Sequence, residues 1–129
     1  MKYLLPERSA AYQQVFLAWL GVAVMLSAHG APREVDVRET RALCQDPTVF
    51  FPVEEQRSHT EGRVVVDTVV DIGGNVSETK ITKSSGSAAL DFAAVRAART
   101  IKCAPFRDPE SGTVTSVHFL KSFVFRLTD

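Results

Sequence analysis

The run from Glu61 to Ala94 constrains this chain most, because it sets four local conformations in a fixed order. Glu61-Gly62-Arg63-Val64-Val65-Val66 opens a β-branched stretch, and Gly73-Gly74-Asn75-Val76 turns it back. Ser84-Ser85-Gly86-Ser87 then breaks the return, and an Ala-rich segment starts at Ala88. Between Arg63 and Asp71, Val64, Val66, Thr68 and Val70 share one face and Val65, Asp67, Val69 and Asp71 the other, the period of a pleated strand. Gly73, Gly74 and Asn75 tolerate positive φ and predict a hairpin turn. Val76 to Lys83 is the return strand, and its slip from strict alternation predicts a bulge.

Ser87 is the expected N-cap of a helix from Ala88 to about Lys102. Leu90, Ala94, Ala97 and Ile101 fall at helical spacing on one face, and the small alanines let the helix sit close to a sheet. Asp91 in the first turn complements the helix dipole. Pro105 and Pro109 bar continuation, and Asp108 to Gly112 reads as a turn. Thr113 to Leu127 is the final strand. Val117, Phe119, Phe123, Phe125 and Leu127 share its parity, and Lys121 interrupts the stripe, which suggests a bulge or an exposed segment. Upstream, Pro52, Glu54 and Glu55 suit the start of one or two helical turns within residues 53–61. The expected fold is α+β, a small antiparallel β-β-α-β sheet with one helix packed on it.

Charge narrows the function classes. The chain has 15 basic and 15 acidic residues, without the basic surplus of a nucleic-acid footprint. Its 129 residues suffice for one domain. At the N-terminus, Lys2 and Arg8 precede an apolar stretch of 14 residues, Val15 to Ala28. Ala28 and Gly30 stand where a signal peptidase needs small residues. The stretch is shorter than the roughly 20 residues of a spanning helix. Residues 1–30 therefore read as a signal peptide, with an uncleaved inner-membrane anchor or a buried core helix as alternatives. Residues 31–46 read as a short polar linker and residues 47–129 as the domain, which a signal peptide or anchor would take out of the cytosol.

Export bears on Cys44 and Cys103, the two cysteines of the chain. In an oxidising compartment such a pair favours a disulfide, with two separate buried thiols as the alternative. The bond would restrict the unfolded chain by about 4 kcal/mol on loop-entropy grounds. No His sits at metal-ligand spacing from either Cys. The serines at 84 and 85 lack a neighbouring base and a G-x-S-x-G elbow, and Gly73-Gly74-Asn75 lacks the Lys of a phosphate loop. No catalytic residue, metal site or cofactor is expected.

The ordered set of motifs resembles the C-terminal domain of TonB-type energy transducers over about 80 residues. Its parts are Phe51-Pro52, Gly62-x-Val64-x-Val66, the Asp71, Gly74 and Val76 turn, Ser84-Ser85-Gly86 with Leu90-Asp91-x-Ala93-Ala94, then Pro105, Gly112 and Phe125-x-Leu127. The resemblance implies a periplasmic module that grips the TonB box of outer-membrane receptors by strand addition, powered through ExbB and ExbD. Such domains also form homodimers. The implied partner-binding candidates are Phe51, Pro52, Val117, Lys121, Phe123, Val124, Phe125 and Arg126. The chain departs from a full transducer in three ways. Ser27 and His29 lack the Ser-x-x-x-His spacing of its anchor. The linker would extend only about 40 Å at ~3.5 Å per residue. Cys103 stands where an aromatic is common, a loss that a disulfide to Cys44 would offset. The alternative role is a structural or self-associating envelope domain.

Overall fold

The structure, a computed structural model, describes residues 31–128. The expectations for a signal peptide or anchor, and for Ser27 and His29, lie outside these residues. Four strands form one mixed sheet: β1 (Arg33–Glu34), β2 (Gly62–Val70), β3 (Val76–Lys83) and β4 (Val117–Phe125), in spatial order β1-β4-β2-β3. Three helices accompany them: α1 (Val37–Leu43), α2 (Val53–Arg57) and α3 (Ala88–Arg99).

β2 is an interior strand, its valines serving the core face and its backbone serving two neighbours, β4 and β3. Val64, Val66, Thr68 and Val70 are fully buried. The Thr68 hydroxyl meets its hydrogen-bond need locally by donating to the Val66 carbonyl at 3.4 Å. Pairing with β3 is antiparallel and shifts register twice, between Val65 and Val66 and between Val69 and Val70. Thr82 and Ser77 are the extra residues of these bulges. Their hydroxyls donate to the Val65 and Val69 carbonyls at 3.3 and 3.4 Å. The irregularity expected in this strand is thus present twice.

Between β2 and β3 the Asp71 carboxylate accepts the Gly73 and Asn75 amides at 2.9 and 3.0 Å. Gly74 sits at φ +82°. A Cβ there would lie 2.0 Å from the Cys103 carbonyl oxygen. The close approach has a purpose, since Cys103 N donates to Gly74 O at 2.9 Å. On its other side Cys103 pairs antiparallel with Cys44 and is joined to it by the disulfide. Gln45 N donates to Lys102 O and Ala104 N to Leu43 O, completing a small three-stranded ladder.

That ladder explains why α3 stops at Arg99 and not near Lys102. Lys102 and Cys103 must be extended to pair with Asn75, Gly74 and Cys44. At its start the helix is capped by the Ser87 hydroxyl, which accepts the Leu90 amide at 3.3 Å. Leu90, Ala94, Ala97 and Ala98 face the sheet and are buried with Ile101 and Phe106. Asp91 does more than complement the dipole. Its carboxylate accepts the Ser84 hydroxyl, the Ser85 hydroxyl at 2.7 Å and the Ser85 amide at 2.9 Å. Burial alone would raise its pKa, but these bonds together outweigh that and hold it below the ordinary carboxylate value.

β4 begins at Val117, later than the expected Thr113, because residues 107 and 114 first close a turn of their own through an isolated bridge. It then pairs with β2 over nine consecutive residues without a register shift. The expected interruption at Lys121 is absent from the backbone. Lys121 stays in register opposite Val66 and its ammonium reaches Asp46 at 3.0 Å, so the chain's apolar stem covers core while the charge stays at the surface.

The segment expected as a linker, residues 31–46, holds β1 and α1. β1 runs parallel to β4 and places Val35 in the core at 7% exposure. Burial of one valine contributes about 1.5–3 kcal/mol. α1 is capped by Asp36, whose carboxylate accepts the Glu39 amide at 2.9 Å, yet no α1 residue is buried. A short helix that touches the core through the half-buried Leu43 alone leaves no periodicity for the sequence to show.

Two outcomes test this packing. Gly74→Ala should lower stability by at least about 2 kcal/mol, from backbone strain and the clash with Cys103, read as a reduced urea midpoint at unchanged slope. Asp91→Asn should cost roughly 1–2 kcal/mol at pH 7. Because the folded-state pKa of Asp91 is depressed, its contribution is present above the unfolded-state pKa and lost as pH falls through the folded one. The gap between wild type and variant should therefore close in acid.

Candidate functional site

An unbroken antiparallel register decides which backbone groups of β4 are available. Along a strand the N–H and C=O of successive residues point alternately to the two neighbours. Arg33 N donates to Ser116 O and Val35 N to His118 O, both at 3.1 Å. Even-numbered residues of β4 therefore face β1, and odd-numbered ones face β2. β1 spans only two residues, so beyond His118 the outward groups of Leu120, Ser122 and Val124 have no strand beside them. No loop, cap or side-chain bond among the described residues reaches them.

The opposite border of the sheet is a poorer template. β3 carries both bulges and presents Lys80 and Lys83, and such features resist further pairing. The β4 border is also lined. A groove of about 430 Å³ runs along Phe119, Leu120, Lys121 and Ser122, with Val37, Thr40, Arg41 and the Cys44–Pro47 segment as its far wall. The Lys121–Asp46 ion pair belongs to this groove. The hydrogen bond from Lys121, with its charge, holds the Asp46 carboxyl below its ordinary pKa.

The sheet face away from α3 is bare beside this border. Leu120 and Val124 are 59% and 54% exposed. The His118 Nδ1 lies 3.2 Å from the Asp67 carboxylate, and Arg63 donates to the Ser122 hydroxyl at 3.0 Å. These polar contacts lie next to the open backbone.

The expected partner-binding residues divide. Val117, Phe123 and Phe125 are core side chains, at most 3% exposed, and their backbone groups point to β2 along with those of Lys121. Phe51 buttresses this core, its ring edge-on to Phe125 with centroids 5.4 Å apart. Pro52 starts α2 and lines a second, apolar groove of about 570 Å³ with Phe50, Phe92 and Arg96. Of the eight, Val124 has an outward backbone and an exposed side chain, Arg126 is exposed beyond the strand, and Lys121 lines the groove with its side chain. Leu120 and Ser122 are additions. Their signal in the sequence is that they share parity with Val124.

Among the described residues no helix is long and apolar enough to cross a membrane, and no group of three His, Cys, Asp or Glu is placed to hold a metal. The site offers directional backbone hydrogen bonding beside apolar side chains, the chemistry of recognising an extended peptide.

Comparison with known proteins agrees with this architecture. The solution NMR structure of the Pseudomonas aeruginosa TonB C-terminal domain superposes with a TM-score of 0.58 at 17% identity, covering 78% of this chain and 98% of that chain. It shares the fold. A search of curated protein sequences finds no match. The family model described as Gram-negative bacterial TonB protein C-terminal matches residues 47–127. Members of that family are generally non-enzymatic interaction modules of envelope transport that work in the periplasm. With well over half of its length matched, and with the fold of that domain, the chain belongs to the TonB C-terminal family.

Proposed function

We propose that this protein is a periplasmic TonB-like module that binds an extended peptide by adding it as a strand to β4 between Leu120 and Val124. The observation that carries the reading is the row of outward backbone groups on Leu120, Ser122 and Val124, which point away from β2 on the side of β1 but beyond its end. An added strand gains its affinity from main-chain bonds and its selectivity from alternate side chains, here meeting Leu120 and Val124 on one face and the Lys121 groove on the other. The peptide is of the TonB-box kind, from an outer-membrane receptor or another envelope protein. Coupling to ExbB and ExbD would link that grip to energised transport. Export through residues 1–30 brings the domain to its partner.

Self-association through the same border is a second reading, favoured by the bare hydrophobic pair Leu120 and Val124. Both use unpaired backbone, and concentration separates them. A synthetic TonB-box peptide titrated into dilute protein should shift the amides of Leu120, Ser122 and Val124 and leave β3 unmoved. Ser122→Pro removes one outward donor at a border position where proline is tolerated. It should weaken the peptide about tenfold, the effect of one lost hydrogen bond. Shifts confined to β3, or full affinity in Ser122→Pro, would contradict the reading. Shifts that depend on protein concentration without peptide would favour self-association.

A further inference from the structure

β1 already does to β4 what a partner strand would do, and it does so from a segment that precedes the family-matched residues 47–127. Resting on the strand-addition reading above, we propose that the β1–α1 segment is a removable strap that competes with the partner for the border of β4, and that the Cys44–Cys103 disulfide keeps it in place.

Four observations support this. First, the strap covers the outward carbonyls of Ser116 and His118, so a partner on the strapped domain meets only the three outward residues from Leu120 to Val124. Second, Val35 and the start of α1 leave the sheet where a longer added strand would continue. Val37, Thr40 and Arg41 of α1 then form the far wall of the groove beside Phe119 to Ser122. A strand paired with β4 lies about 4.8 Å from it, inside that groove. Third, the strap is lightly held. It has two strand residues, one core side chain in Val35, a half-buried Leu43 against the core, one ion pair to β4 from Asp46 to Lys121 at 3.0 Å, and two backbone bonds beside the disulfide. Its one other ion pair, Arg33–Glu39, is internal to it, and its helix has no fully buried residue. Fourth, its only covalent anchor is Cys44, in the ladder with Cys103 and immediately after α1.

The input that loosens the strap is a dithiol reductant. Its thiolate attacks one sulfur of the disulfide and the other sulfur leaves as a thiolate. The second thiol then resolves the mixed disulfide. Cys44 and Cys103 end as two thiols, having gained two electrons and two protons, and the dithiol becomes a disulfide. Residues 31–46 then leave the border together. A partner that replaces β1 must supply an extended segment with a branched apolar residue for the space Val35 fills. The bond thus restricts the border while oxidised and releases it when reduced.

The test uses the full chain, oxidised and after dithiothreitol, with amide hydrogen exchange and titration of a synthetic TonB-box peptide on the same samples. Reduction should speed exchange at Arg33 and Val35 at least tenfold, leave the β2–β3 ladder protected, and tighten the peptide about tenfold, the factor expected when a site nine-tenths occupied is freed. Val35→Ser, which weakens the strap with the disulfide intact, should tighten the peptide as well. Unchanged exchange at Val35 after reduction overturns the strap. Faster exchange with equal peptide affinity in both states overturns the competition and leaves strand addition standing. Faster exchange with no peptide binding in either state overturns strand addition itself, and the strap's role with it. Loss of the β2–β3 ladder on reduction moves the decision to Val35→Ser, where unchanged affinity overturns the proposal.

Discussion

The uninterrupted pairing of β2 with β4 is the constraint on which the rest depends. Nine residue pairs in one register fix two things at once. They place Val117, Phe119, Phe123 and Phe125 against the same core as Val64, Val66 and Val70. They also fix which backbone groups of β4 are consumed by β2 and which point away. A single bulge in this pair would exchange the two sets, because one residue of slip moves every side chain to the other face. β3 tolerates two bulges since Ser77 and Thr82 repair the ladder with their hydroxyls, and because its far side carries no strand. β4 has no such freedom.

The second determinant is the convergence of three chain segments at Cys103. Gly74 approaches from one side and Cys44 from the other. Only glycine fits where a Cβ would meet a carbonyl oxygen at 2.0 Å. The hairpin turn, the end of α3 and the entry to the domain are thereby locked together. A small domain with a modest core gains from such a staple. On the strap proposal the same staple also decides whether residues 31–46 stay on the border of β4, so that stability and access to the candidate site would share one bond.

Much of the fold was legible in the sequence because local rules and tertiary packing agree. The alternation of β2, the glycine turn at Gly74, the Ser87 cap and the alanine face of α3 each have one physical reading, and each is found. β1 and α1 were not legible as core elements. Two strand residues show no period, and a seven-residue helix whose one inward contact is the half-buried Leu43 shows no apolar face. One signal was present, the Asp36-x-x-Glu39 spacing of an N-terminal cap. The site was legible only in outline. An apolar stripe marks Val117, Phe123 and Phe125, but a stripe of that kind marks core. Side-chain alternation does not say which neighbour a residue's amide faces. That follows from register, and so Leu120 and Ser122 emerge only from the structure.

Amide hydrogen exchange along β4 in the monomeric, partner-free protein is the most direct measurement of the border. Protection alternating by residue is the predicted result, with Phe119, Lys121 and Phe123 slow and Leu120, Ser122 and Val124 fast. Equal protection at both parities from Leu120 to Val124 would mean that the border is already closed by backbone, and would contradict the account.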